Sequence, residues 1–164
     1  LKSRFIDDKA AVACAFAMLK YLSENNLKPK YRTLLAFPYN EEIGVGGRYV
    51  PEEVSEYIAI DIGLIGPQHE GNEHKVSICA KDSHGPYDYC MTSELIALSK
   101  ENGIDYAVAI YPFYGSDAGT ALSAGSDIRF ALIGAGVYAS HGYERSHKDG
   151  VKNTLLVLKG YLGV

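Results

Sequence analysis

Apolar positions recur along the chain with two periods, and the alternation between them sets the expected layout. Ala11 to Leu22 is alanine-rich, with Val12, Ala15, Phe16, Leu19 and Leu22 at helical spacing, which predicts a helix beginning near Asp8. Phe5 to Asp8, just before it, reads as the end of a core strand. Asn25, Asn26 and Pro29 break the helical pattern, and Tyr31 to Phe37 then reads as a buried strand. Gly46 to Val54 is expected to hold a short helix interrupted at Pro51, and Tyr57 to Gly63 a strand with one carboxylate, Asp61, near its end. Gly66 to His74 is polar and reads as a surface loop; Lys75 to Ala80 alternates as a strand does, and Ser83-His84-Gly85-Pro86 is a turn. Met91 to Lys100 is an amphipathic helix stopped by Asn102-Gly103. Tyr106 to Tyr111 and Ile128 to Ile133 are strands, with a short helix at Ser116 to Ala124 between them. After a loop from Gly134 to His147, a last helix near Gly150 to Leu162 carries Val151, Leu155, Leu158 and Leu162 on one face.

Strands alternating with helices predict an α/β layered domain built on a largely parallel sheet. Ligands in such folds collect outside the carboxyl ends of the strands. Asp7, the pair Glu41 and Glu42, Asp61 and the His141 loop each fall at, or just beyond, the end of a predicted strand. That coincidence favours a functional reading of all four together. The adjacent pair lies in Phe37-Pro38-Tyr39-Asn40-Glu41-Glu42-Ile43-Gly44, where a strand gives way to a glycine-rich turn. Successive side chains of an extended segment point apart, so the two carboxylates are expected to do different jobs. The plainer reading makes Asn40 a helix cap with two acids at the positive helix end.

At 164 residues the expectation is one domain with a sizeable core. The net charge of -4 and the absence of a basic run exclude a nucleic-acid partner as the first reading. No apolar stretch has the length of a membrane span, and no charged-then-apolar leader opens the chain, so the expected location is the cytoplasm with no membrane partner. Cys14, Cys79 and Cys90 are far apart and sit in apolar or strand-like surroundings, which predicts buried free thiols. The first residue is Leu1, and the expectation is a fragment whose earlier portion is missing.

Carboxylates together with a neutral imidazole suit zinc, cobalt or manganese, whereas calcium prefers oxygen alone. Asp7, Glu42, Asp61 and His141 therefore read as a transition-metal site. Two ions bridged by one carboxylate clamp a water and polarise a carbonyl, and Glu41 would take the water's proton. Each residue has a plainer explanation. Asp7 or Asp8 could cap the first helix, which is the better reading for Asp8; Asp61 could equally be a solvated strand end; and His141 competes with His147 in Ser140-His141-Gly142-Tyr143-Glu144-Arg145-Ser146-His147. Four other patterns are set aside. His69 and His74 are five apart rather than four with Gly71 between them, and Asp82-Ser83-His84 runs into Gly85-Pro86. Gly44-Val45-Gly46-Gly47 lacks the following Gly-Lys-Ser/Thr of a phosphate loop, and Ser116-Asp117 lacks a Gly-x-Ser-x-Gly elbow.

In order along the chain, Phe5-Ile6-Asp7-Asp8-Lys9, Asn40-Glu41-Glu42-Ile43-Gly44, Ala59-Ile60-Asp61, Gly115-Ser116-Asp117-Ala118-Gly119 and Tyr138-Ala139-Ser140-His141 form a series. The series resembles the tetrahedral aminopeptidases, the glutamyl and deblocking aminopeptidases of metallopeptidase family forty-two, over nearly the whole chain. The resemblance implies a three-layer αβα zinc-peptidase-like catalytic domain spanning residues 1–164, and an aminopeptidase acting on peptide substrates. It implies two divalent metal ions, zinc or cobalt with manganese as a further option. Asp7 would bridge them, Glu42 and His141 would complete one site, Asp61 would serve the other, and Glu41 would be the general base. It also implies a cis Asp7-Asp8 peptide and a homo-oligomer at full length. Two family features are not in this sequence: an earlier Asp-x-His segment whose histidine binds the second metal, and an inserted dimerisation domain. The piece alone is therefore expected to be weakly active or inactive. The three residues before His141, Tyr138-Ala139-Ser140, also depart from the family's Arg-Tyr-x pattern. Other readings are a deacylase or carboxypeptidase of the same clan, a glycosidase, or a non-catalytic binding module. Neighbouring carboxylates that point apart fit the glycosidase poorly, since that pair must flank one bond.

Overall fold

Eleven regular elements and two single 3-10 turns make up the computed structural model, which describes all residues from Leu1 to Val164. In chain order they are β1 (Lys2–Ser3), α1 (Ile6–Glu24), β2 (Glu56–Leu64), β3 (Val76–Asp82), β4 (Gly85–Pro86), α2 (Tyr89–Glu101), β5 (Tyr106–Ile110), α3 (Asp117–Ser123), β6 (Arg129–Tyr138), β7 (Glu144–Ser146) and α4 (Lys148–Tyr161). The seven strands form one mixed sheet. Its two longest ladders are parallel, β2 with β6 and β3 with β5, while β6 runs antiparallel to β3 and β7. Strand β2 pairs only with β6, so its other edge has no backbone partner.

The alternation of side chains along β6 divides the core into layers. Phe130 and Leu132 join Ala59, Cys79, Tyr111 and Ala118 on the α3 face; Ala131 and Ile133 join Met91, Leu95 and Val157 on the face covered by α2 and α4. Helix α1 lies beside α4 and closes a smaller cluster of Ile6, Ala10, Ile62 and Val137. The result is the expected α/β arrangement, a sheet between two layers of helix. Replacing a fully buried aliphatic side chain with alanine removes contacts and leaves a void. Ile133→Ala is expected to cost about 2 to 5 kcal/mol of stability, measured by urea unfolding; a cost under about 1 kcal/mol would contradict its central place.

Several elements differ from their sequence expectation. Phe5 to Asp8 forms no strand: Phe5 is left-handed (φ 61°) and α1 starts at Ile6, losing helical dihedrals at Asp7 and Asp8 before settling into a regular helix. Tyr31 to Phe37 forms no strand either, because no neighbouring strand accepts its backbone, and Tyr31, Leu34, Leu35 and Phe37 stay exposed. Phe37 instead stacks on Phe16 of α1, ring centroids 5.8 Å apart. Phe16 and Leu19 face outward, and it is the small-residue face of α1, Ala10, Ala11, Cys14 and Ala15, that packs inward. The helix expected over Gly46 to Val54 is a single turn, Gly46–Arg48. Strand β6 runs five residues further than predicted, through Gly134 and Gly136, whose strand preference is poor. Close approach explains Gly134: a Cβ there would lie 2.2 Å from the Asp61 carbonyl oxygen. Cys14 and Cys79 are buried as expected, but Cys90 is exposed at the start of α2.

Candidate active site

The start of α1, the turn after Asn40, strand β2 and the turn after β6 converge on one cleft of about 480 Å³, lined by Asp7, Glu41, Glu42, Asp61 and His141 among others. All five candidate residues are therefore brought together. Glu41 and Glu42 sit on a single 3-10 turn, Glu41–Ile43, ended by Gly44 at φ 70°. The pair is thus not on an extended segment, but a three-residue turn also fans successive side chains apart. Asp61 projects from β2 at the register position opposite Gly134. His141 has φ 66°, in a tight turn with Ala139 (φ 55°). The Asp7-Asp8 peptide is cis, as the resemblance implied.

A buried carboxylate outside the candidate set ties the two ends of the chain together. Glu144, 1% exposed, accepts the Asp7 amide through Oε2 (3.0 Å) and the His141 amide through Oε1 (3.1 Å). Ser140 Oγ donates to Asp7 Oδ2 at 2.6 Å. These bonds set the turn so that His141 Nε2 lies 3.2 Å from Glu42 Oε2 and 3.5 Å from Asp7 Oδ2. His147 lies apart as the N-cap of α4. Sequence offered one signal for Glu144, a lone carboxylate three residues after the candidate histidine.

Two groups of potential ligands share one member. Ligand atoms of Asp7, Glu42 and His141 lie within 4.8 Å of one another, and so do those of Asp7, Asp8 and Asp61. Asp8, read from sequence as a cap, does face the Ala11 amide, but it is also part of this second group. Crowded acids resist ionisation. Burial, then Asp61 and Asp7, push Asp8 up to about 10; burial and then Asp7 push Asp61 up to about 8. Burial, followed by Asp117, Glu42 and Asp7, raises Glu41 to about 7. Asp8 Oδ1 and Asp117 Oδ1 are buried without a hydrogen-bond partner. Unpartnered carboxylate oxygens in a group of like charges, with an imidazole alongside, are a donor set suited to divalent cations. The residues present fit such ions.

Asp117, on the first turn of α3, is the neighbouring charge that raises Glu41 most. A Cβ on Gly47 would lie 2.0 Å from the Asp117 carbonyl oxygen, so only glycine lets the second turn seat against α3. His84, in the turn after β3, also lines the cleft. Its amide donates to buried Asp82, which also accepts Tyr87 Oη at 2.7 Å.

The fold is that of known aminopeptidases. The TET1 peptidase of Pyrococcus horikoshii, which can assemble into a tetrahedron or a large octahedral shell, superposes with a TM-score of 0.84 at 19% identity, over 98% of this chain and 49% of that one. Yeast aminopeptidase 1 superposes with a TM-score of 0.68 at 17% identity, over 99% of this chain and 45% of its own. In sequence, residues 1–156 match the model of the M42 glutamyl aminopeptidase family. The chain belongs to that family. YhfE of Bacillus subtilis (strain 168), which carries a provisional aminopeptidase name, is 42% identical over 163 residues, 99% of this chain and 47% of YhfE. The chain thus spans about half the length of the curated relative it matches. No helix is long and apolar enough to cross a membrane.

Proposed function

We propose that this chain supplies most of the active site of a metal-dependent aminopeptidase, which removes N-terminal residues from peptides and works as a homo-oligomer. The observation that carries the reading is the membership of Asp7 in both ligand groups, with Glu41 beside them. Asp7, Glu42 and His141 would hold one divalent ion, and Asp7 with Asp61 a second, zinc or cobalt by the softness of an imidazole-carboxylate set. Such ions supply Lewis acidity toward a carbonyl and toward water.

The rest of the chemistry belongs to side chains of this chain. Glu144 and Ser140 fix the backbone and the carboxylate that orient Asp7 and His141. Glu41 accepts a proton from the attacking water and returns it to the leaving amine. Its raised affinity for protons, near 7, suits both halves of that exchange. Burial is the leading cause of the shift, so cations that offset the neighbouring carboxylates would still leave Glu41 a stronger base than an exposed glutamate.

The test is metal titration of the intact protein, followed by release of N-terminal residues from a panel of peptides. His141→Ala should lower activity and metal affinity together. His147→Ala should leave turnover near wild type while losing a helix cap worth about 1 kcal/mol. Turnover lost in His147→Ala and kept in His141→Ala would move the cleft's ligand to His147; no metal-stimulated peptide hydrolysis at all would overturn the reading.

A further inference from the structure

A second group of ligand-type side chains shares no residue with the cleft. His74 ends the loop before β3, His147 joins β7 to α4, and Asp149 lies in the first turn of α4. Their ligand atoms lie within 4.8 Å of one another. Asp149 Oδ2 is 3.1 Å from His74 Nδ1 and 3.0 Å from His147 Nδ1. Two ligand atoms about 2.1 Å from one tetrahedral ion are about 3.4 Å apart, so the spacing needs little adjustment to enclose an ion.

The backbone around the group is fixed. The His74 amide donates to Asn72 Oδ1 (2.9 Å), and its carbonyl accepts Asn153 Nδ2 from α4 (2.8 Å). One turn earlier in α4, Gly150 abuts the Glu73 carbonyl oxygen so closely that a Cβ would lie 2.5 Å away. The two imidazoles are held side by side, ring centroids 4.2 Å apart.

Asp149 Oδ2 faces a ring nitrogen of each histidine, and His147 Nδ1 also lies 3.2 Å from the Asp149 amide. Neutral imidazoles and an ionised carboxylate are the forms in which these side chains bind a divalent ion, so one ion can engage all three at once.

We propose that His74, His147 and Asp149 form a separate transition-metal site, a zinc-type ion bound by two imidazoles and one carboxylate. Three protein donors leave a fourth position to water, and all three side chains are accessible enough to admit the ion from solvent. The ion clamps the loop before β3 to the start of α4, immediately downstream of Glu144. It therefore steadies the segment that carries His141, without touching substrate.

The experiment removes the cleft first. In the intact protein, Asp7→Ala with Glu42→Gln is expected to leave one zinc per chain by calorimetry, and one cobalt(II) with visible absorption from nitrogen ligands. Adding His74→Ala, or separately Asp149→Asn, should weaken that remaining ion at least about tenfold, the smaller loss seen when a supporting partner of a metal site is removed. His74 is half exposed, so its loss should not unfold the chain. His74→Ala alone should keep peptide turnover and lower the melting temperature in zinc but not in chelator. The proposal is overturned if the Asp7→Ala, Glu42→Gln protein binds no zinc, or if the remaining zinc is indifferent to both His74→Ala and Asp149→Asn.

Discussion

Glu41→Gln in the intact protein should retain metal and bind peptide while kcat falls by a factor of about 100 to 10,000, the usual worth of a positioned general base. On the free-energy scale this is about 3 to 5 kcal/mol of transition-state stabilisation. The substitution preserves shape and removes basicity, so the water keeps its place but loses the acceptor for its proton. The loss should fall on kcat rather than KM, because the proton moves only in the transition state. Glu42→Gln should behave differently, since Glu42 faces His141 rather than Asp117, and its loss should loosen metal. A Glu41→Gln enzyme with normal metal content and near-normal kcat would remove Glu41 from the mechanism.

Metal-free protein should become less stable as pH rises, and divalent metal should reverse the trend. Asp8, Asp61 and Glu41 all bind protons more tightly when folded than an ordinary carboxyl does. A raised carboxyl contributes its full stability below the unfolded value of about 4, and that contribution is lost as pH climbs towards the folded values. The window therefore opens near pH 4 and closes in turn near 7 for Glu41, 8 for Asp61 and 10 for Asp8. Inside it, the buried Asp8 and Asp61 each cost at most about 1.4 kcal/mol per pH unit. In chelator the melting temperature should drop by several degrees between pH 5 and 8. In zinc it should rise over the same range, because the ion displaces protons from the same oxygens. A chelated protein whose melting temperature stayed flat or rose would contradict the carboxylate crowding.

How much of this was legible in the sequence can be judged from particular residues. The five candidate residues were reachable because each sits next to a break in apolar periodicity, and such breaks mark strand and helix ends. Glu144 and Ser140 were not, because a buried side chain that holds another residue's backbone leaves no periodic trace. Strand β6 was cut short at Gly134, since glycine lowers strand propensity while tertiary contact rewards the absence of a side chain. Phe16 and Leu19 misled in the opposite direction. Helical spacing identified an apolar stripe, but alanine allows closer approach, and packing chose the smaller face.

The free edge of β2 and the exposed run from Tyr31 to Phe37 have a practical consequence for anyone handling this chain. A strand edge with no strand partner is a template that accepts any extended peptide able to align with it. Here the template bears Asp61, whose side chain lines the cleft. A peptide or a second molecule zipping onto that edge would blanket the acidic pocket's wall, so loss of solubility and loss of cation uptake should set in together as concentration rises.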